Sequence, residues 1–306
     1  MGEALATEFP YVAELYEEIG RRAGVDLPST FFGDGAPSLH DDLPAQVGVF
    51  AVSVAALEVL AAEYDVRPHA SAGYSLGTYA AYVAAGALDR WAALDVLLEA
   101  QRLLESHGAP GSMGYVIGMT RAPLEELLRG ISPDPAVLGI GNANAAQQFI
   151  VTGEASSVRR AIASAANVAL RADLLPSRWP MHSPALLPVC ERLARFVDGL
   201  PVRAPRPGAL WAPMTGSPVS GAEEATRVLA WQIATPSRWE TVVRSLAEER
   251  PTRFAEVGPG DVLSKLVRWT VRTARAAVLE DPLSIAAFAA GAEPGAPAAA
   301  GDAERA

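Results

Sequence analysis

The sequence predicts an α/β protein in which a larger body of helices and short strands is interrupted by a smaller βαββαβ subdomain. Three observations predict it. Long Ala-rich helical patterns dominate residues 10–106, a Gly-rich strand-to-helix turn lies at residues 73–77, and from residue 114 to 176 the pattern changes to short alternations of strand and helix.

In chain order, Val12, Leu15 and Ile19 recur at helical spacing, and Gly24 can end that helix. Residues 26–44 form a loop rich in Gly, Pro and Asp. Residues 46–64 read as a mostly apolar helix, 67–72 as a strand entering the turn at Gly73, and 78–87 and 91–106 as further helices. Strand patterns at 114–119, 136–139, 148–152 and 169–175, with helical stretches at 123–129 and 156–166, give the strand and helix order of a ferredoxin-like subdomain. Residues 184–199 then read as an amphipathic helix, 209–214 as a strand returning to the main sheet, and 223–233 and 239–249 as helices. Residues 254–257 are a strand ending at Gly258-Pro259-Gly260. From Ala289 onward the chain is Ala, Gly, Pro and charge, which predicts a disordered tail. The expected division is therefore 1–112 and 177–288 for the larger body, 113–176 for the insert and 289–306 for the tail.

Composition narrows the function. Half of the 306 residues are apolar, enough for a substantial core. Twenty-five basic against thirty-five acidic residues leave a formal charge of −10, which argues against nucleic acid as a partner. Lys265 is the sole lysine, a coding bias rather than a functional mark. The single cysteine, Cys190, can form neither an internal disulfide nor a multi-cysteine zinc site, and four histidines leave little for a metal. The N-terminus lacks the basic and apolar regions of a signal peptide, and the most apolar stretch, residues 47–60, is too short to cross a bilayer. The expectation is a cytoplasmic protein with no membrane partner.

The chemistry centres on Gly73-Tyr74-Ser75-Leu76-Gly77, placed between a strand and a helix as a nucleophile elbow requires. The turn lifts the Ser75 hydroxyl clear of the backbone, and the Leu76 amide can donate to an oxyanion. A tight turn without chemistry is the competing reading. Of the candidate bases, His40, His69 and His107 sit in surface-like contexts. His182, in Trp179-Pro180-Met181-His182-Ser183-Pro184, lies on a crossover from which a polar group can enter a cleft, although a structural histidine fits there too.

These residues, with Gln46 opening an apolar helix, Asn142-Ala143-Asn144 through Gly153, Gln232 with Pro236 and Trp239, and Glu256 to Leu263, resemble the malonyl-CoA:acyl-carrier-protein transacylase family, the acyltransferases of fatty-acid and polyketide synthesis. The resemblance runs from the first residues to about Val278. It implies an α/β-hydrolase-like large subdomain with a parallel sheet and an inserted ferredoxin-like subdomain. It also implies a catalytic Ser75–His182 dyad, an oxyanion donor at Leu76, and a backbone carbonyl at Gln232 that orients the histidine. Gln46, Tyr74, Ala100, Asn144, Trp179 and Met181 would shape the substrate pocket. Substrates would be coenzyme A or phosphopantetheine thioesters, with no permanently bound cofactor, and an acyl carrier protein the partner, met by arginines such as Arg178. An esterase with a later acidic residue and histidine is disfavoured, because no histidine follows His182.

Three departures from the family stand out. Tyr74 replaces the usual histidine before the nucleophile. The family's opening strand and Gly-Gln-Gly loop, source of a second oxyanion donor, precede the point where this sequence starts; the expectation is that they are encoded in frame upstream. Counting forward from Ser75 without gaps puts Ala100 where malonyl-specific members carry an arginine. Arg102, two residues on, is rotated by about 200° around the helix. The expected acyl group is therefore not malonyl but an uncharged or amino-bearing one. A malonyl transacylase and a hydrolase that edits stalled acyl chains are the alternatives, and a non-catalytic binding subunit is a third.

Overall fold

The computed structural model describes residues 2–31, 43–249 and 253–291. The predicted loop at 26–44 is partly helical, with one helix at Leu27–Phe31 and the next beginning at Leu43, and the last helix runs to Ala289, the first residue of the predicted tail at 289–306; residues 32–42, with His40, and the chain beyond 291 lie outside the described residues.

Helices α1 (Glu3–Glu8), α2 (Pro10–Ala23), α3 (Leu27–Phe31) and α4 (Leu43–Tyr64) come first. Strand β1 (Ser71–Ala72), α5 (Gly77–Ala84) and α6 (Arg90–His107) complete the first part of the large subdomain. The insert follows as β2 (Ser112–Ile117), α7 (Arg121–Ile131), β3 (Leu138–Ala145), β4 (Gln148–Gly153), α8 (Ala155–Ala165) and β5 (Arg171–Leu175). The chain then returns through α9 (Leu187–Val197), β6 (Leu210–Ala212), β7 (Ser217–Pro218), α10 (Ala222–Trp231) and α11 (Trp239–Glu249). It closes with β8 (Arg253–Val257), α12 (Val262–Thr270), β9 (Arg275–Leu279) and α13 (Pro282–Ala289).

Helix α4 organises the large subdomain. Val47, Phe50, Val54, Val59 and the alanines between them are buried, so the helix is apolar around most of its length, as a core helix must be, and only its last turn, with Glu63 and Tyr64, is exposed. At 22 residues it is long and apolar enough to span a bilayer, contrary to the sequence expectation, which counted only its most apolar part. What assigns it to the core is burial: 67% of its most apolar window lies inside the protein. Around it pack α2, α5, α6 and α13, together with β8, whose last carbonyl, at Val257, lies 3.0 Å from the Ser53 hydroxyl of α4.

Parallel pairing in the large subdomain joins β1 to β6 and β8 to β9, with β7 antiparallel on β6. The expected strand at 67–72 shortens to two residues. A second apolar cluster, with Trp211, Trp239, Val242 and Leu266, covers the face of these strands away from α4.

The insert is an antiparallel sheet in the order β3-β4-β2-β5, the ferredoxin-like arrangement expected from its pattern. Strand alternation divides its side chains. Val116, Phe149 and Val151 pack under α7 and α8, whereas Met113 and Ile150 face the large subdomain. Edge strand β3 is joined to the large subdomain by Ser237, whose N–H donates to Gly141 O at 2.8 Å and whose carbonyl accepts from Ala143 N–H at 2.9 Å.

Because Phe50 fills the centre of the helical core, Phe50→Ala should cost about 3–5 kcal/mol. Thermal unfolding should show the midpoint lowered by on the order of 10 °C.

Candidate active site

The elbow is shaped by one close approach. At Gly73 a Cβ would stand 2.2 Å from both Cα and N of Thr78, so strand and helix cross there with no room for a side chain. The crossing drives Ser75 to φ 51°, a left-handed conformation that non-glycine residues adopt only under constraint. Gly77 N–H donates to Tyr74 O at 2.9 Å and Thr78 N–H to Ser75 O at 3.0 Å, closing the turn. The space beside Gly77 is open, so the second glycine of the motif has no steric reason to be one.

His182 is held from the other side of the cleft and is also left-handed, at φ 61°. Its backbone N–H donates to Ile233 O at 2.6 Å. Its Nδ1 lies 2.9 Å from Gln232 O and 3.3 Å from Thr235 O, and its Nε2 lies 3.0 Å from Ser75 Oγ. Carbonyls only accept, so the proton sits on Nδ1 and the bare Nε2 accepts from the serine hydroxyl. Burial pushes the imidazole below its ordinary value, partly opposed by the carbonyls of Gln232 and Thr235. A neutral imidazole in this tautomer is a general base aimed at an oxygen nucleophile.

The expected site residues divide by position. The Leu76 N–H, at the start of α5, has no acceptor among the described residues and is free for an oxyanion, aided by the helix dipole. Gln232 meets the histidine through its carbonyl, while its side chain hydrogen-bonds to the Tyr79 hydroxyl. Tyr74 lies edge-on to Trp239 with ring centroids 5.5 Å apart and donates to Asn144 Oδ1 at 3.0 Å; burial pushes its hydroxyl up to about 12. Asn144 is a correction. It is buried but does not line the cleft, because bulges in β3 break the strand alternation and turn Asn142 into the cleft instead. His69 and His107 are exposed, and the Cys190 thiol is pushed up by burial to about 11, so none of them competes as a reacting group.

The cleft between the subdomains has a volume of about 210 Å³. Gln46, Tyr74, Ala100, Trp179 and Met181 line it as expected, but so does Gln101, which the gapless count passed over. Adjacent helical positions lie about 100° apart, and the cleft wall takes in both. The available signal was Gln101 itself, a polar residue at the spacing of the buried Leu97 and Leu104. Gln46 Nε2 donates to Gln101 Oε1 at 3.0 Å, and Gln101 Nε2 donates to Glu105 Oε1 at 2.8 Å. Arg102 points outward and pairs with Glu99 at 2.6 Å. Among the described residues, the cleft lining contains no arginine or lysine.

Residues 34–289 match the model of the acyl transferase domain. The chain belongs to that family. Among its relatives, the malonyl CoA-acyl carrier protein transacylase of Haemophilus influenzae is 30% identical over 92% of this chain and 90% of its own length. That of Bacillus subtilis is 29% identical over 93% and 90%. The polyketide biosynthesis protein ThaF of Burkholderia thailandensis is 33% identical over 88% of this chain, but over only 23% of its own length. Among solved structures, the malonyl-CoA:acyl carrier protein transacylase of Xanthomonas oryzae superposes with a TM-score of 0.87 at 28% identity, covering 96% of this chain and 94% of that one. A type II polyketide malonyl-transacylase solved with its acyl-carrier protein gives 0.86 at 26%, covering 94% of each chain. The acyltransferase is thus an enzyme of a two-subdomain α/β fold.

Two outcomes follow from this geometry. Gly73→Ala should abolish labelling of Ser75 by phenylmethylsulfonyl fluoride, followed by intact mass, while Gly77→Ala should retain it. The labelling rate should fall with acidity only as pH drops through a midpoint below the ordinary imidazole value of about 6.5, because the reactive form is neutral His182.

Proposed function

We propose that this acyltransferase moves an acyl group other than malonyl from a coenzyme A or carrier-protein thioester to an acyl carrier protein, through an acyl-Ser75 intermediate. Ser75 Oγ attacks the thioester carbonyl as His182 Nε2 removes its proton, and the tetrahedral oxyanion is met by the Leu76 N–H. Collapse breaks the carbon–sulfur bond, and His182 returns the proton to the departing thiolate. The acceptor thiol then attacks the acyl-serine with His182 again taking the proton, and Ser75 is regenerated as the new thioester forms. Support for the carrier as acceptor comes from the relatives that are named for it.

The observation that carries the acyl preference is the Gln46–Gln101–Glu105 chain beside Ala100, in a cleft whose described lining has no cation. A malonyl carboxylate there would forgo a charged hydrogen bond worth roughly 1.5–3 kcal/mol, about 10- to 100-fold in affinity. It would also meet a hydrogen-bonded chain ending on the Glu105 carboxylate. The names of the relatives favour a second reading, in which malonyl is taken all the same and Gln101 donates to its carboxylate.

Intact-mass measurement after incubation with malonyl-, acetyl- and butyryl-CoA separates the two. The uncharged groups should load Ser75 about tenfold or more faster than malonyl, Gln101→Arg should shift loading toward malonyl, and Ser75→Ala should remain unmodified. Equal loading by malonyl-CoA in the unaltered enzyme would support the second reading. Release of free acid without any thiol acceptor would make the enzyme an editing hydrolase.

A further inference from the structure

The insert sheet has two edges, and they are left in different states. The β3 edge is closed on the large subdomain through Ser237. On the far side β5 pairs with β2 alone, and among the described residues no strand bonds to its outer edge. The ladder starts one residue before β5, where Leu170 N–H donates to Ile117 O at 2.9 Å, and its register runs from Arg171 to Leu175 without a shift. Open edges of this kind template further strands, and proteins usually blunt them with a proline, a bulge or a covering element. Residues 170–175 carry no proline and no bulge. The edge is apolar as well. Leu170 is 84% exposed, Val168 68% and Leu174 41%, so three of the eight large apolar residues exposed among the described residues fall within seven positions. Between them stand Arg171 and Asp173, both exposed and neither in an ion pair among the described residues. The Arg171 guanidinium lies 5.4 Å from the centroid of the Tyr115 ring, and one oxygen of Asp173 accepts from Leu174 N–H at 2.8 Å, which leaves the other for a partner.

We propose that β5 pairs with β5 of a second copy of this chain, antiparallel about a two-fold axis through Ala172, joining the two inserts into one continuous sheet. The sequence of the strand selects this arrangement. Opposed residues of an antiparallel pair share a face of the sheet, so the axis must pass through a residue, and residues equidistant from it then face each other. With Ala172 on the axis, Arg171 stands opposite the partner's Asp173 and Asp173 opposite the partner's Arg171. Leu170 and Leu174 meet the partner's Leu174 and the partner's Leu170 in the same way. One five-residue stretch thus supplies two opposite-charge pairs and two apolar pairs, as a self-complementary contact requires. An axis through Arg171 or through Asp173 would instead set each of those charges against its own copy. Ala172, the smallest side chain of the strand, is the one that allows the closest approach at the centre. Beyond β5 the chain runs into Pro176 and Ser177, which line the catalytic cleft, so the pairing would fix the strand that leads into the cleft wall.

Sedimentation velocity over a range of protein concentrations should show a reversible dimer. Asp173→Arg sets arginine against arginine at both contacts and should weaken dimerisation about tenfold or more. The exchange Arg171→Asp/Asp173→Arg recreates both pairs and should restore it. The register is read separately, by a disulfide. Directly opposed Cα atoms stand about 4.5–5.5 Å apart, within the span of a disulfide, so Ala172→Cys should form a covalent dimer under a mild oxidant. Glu14→Cys, on the exposed side of α2, should stay monomeric in the same assay, and the native Cys190 is buried and adds no background. A chain that is monomeric at every concentration would overturn the pairing, as would a dimer indifferent to Asp173→Arg. Failure of the charge exchange to restore the dimer, or cross-linking of Glu14→Cys as fast as Ala172→Cys, would overturn the axis through Ala172.

Discussion

The 3.0 Å contact between Ser75 Oγ and His182 Nε2 joins two residues whose backbones are both left-handed. Such conformations cost on the order of 1–3 kcal/mol each and persist only where surrounding structure over-determines them. For Ser75 the constraint is steric, the crossing of β1 over α5 at Gly73. For His182 it is a set of hydrogen bonds, since the carbonyls of Gln232, Ile233 and Thr235 offer three acceptors to one residue. The 3-10 turn Gln232–Ala234, which with its C-cap Thr235 presents those carbonyls, follows directly on α10, and α10 packs on α9. The helical core is thus the support of the dyad, and its rigidity is transmitted to the two strained residues through short, hydrogen-bonded connections.

The insert reaches this dyad at two places. Tyr74, next to the nucleophile, bonds to Asn144 of β3, and Ser237, close to the histidine's carbonyls, bonds across the β3 edge to Gly141 and Ala143. Both catalytic segments are therefore fastened to the same strand. The bulges of β3 are what allow this, because they let Asn142 face the cleft while Asn144 turns to Tyr74, two outcomes that a regular alternation would not deliver in this way. The tyrosine's hydroxyl, pushed up to about 12, stays protonated through the neutral range and so remains a donor to Asn144. A histidine at that position would hold neither the same reach nor a fixed protonation state.

Much of this was legible in the residues. The elbow was readable because Gly73 does something that no other residue can, and the insert because four short alternating strands cannot be mistaken for the Ala-rich helices around them. His182 stood out as a candidate from its crossover setting, while its pairing with Ser75 and the Gln232 carbonyl came from family resemblance, since no local pattern links residues 50 or 107 apart. Elsewhere the signal failed for identifiable reasons. Gapless counting along α6 singled out Ala100 but could not say that a cleft wall takes in its neighbour Gln101. Residues 67–70, Arg-Pro-His-Ala, hold a proline and no β-branched residue, and pairing with β6 covers only Ser71 and Ala72, so β1 is two residues long. Residues 275–279 escaped notice because strand β9 carries few of the large β-branched or aromatic residues that mark a strand, whereas α12 went unread although Leu263, Leu266, Val267 and Thr270 recur at helical spacing.

With no arginine or lysine in its described lining, the cleft is defined by the direction of its hydrogen bonds rather than by charge. Inside the cleft the carboxamides of Gln46 and Gln101 have an orientation dictated from outside. Glu105, when ionised, can only accept, so Gln101 must donate to it and must then accept from Gln46. That leaves the Gln46 carbonyl oxygen and its second N–H available to the bound group, a neutral and directional reading.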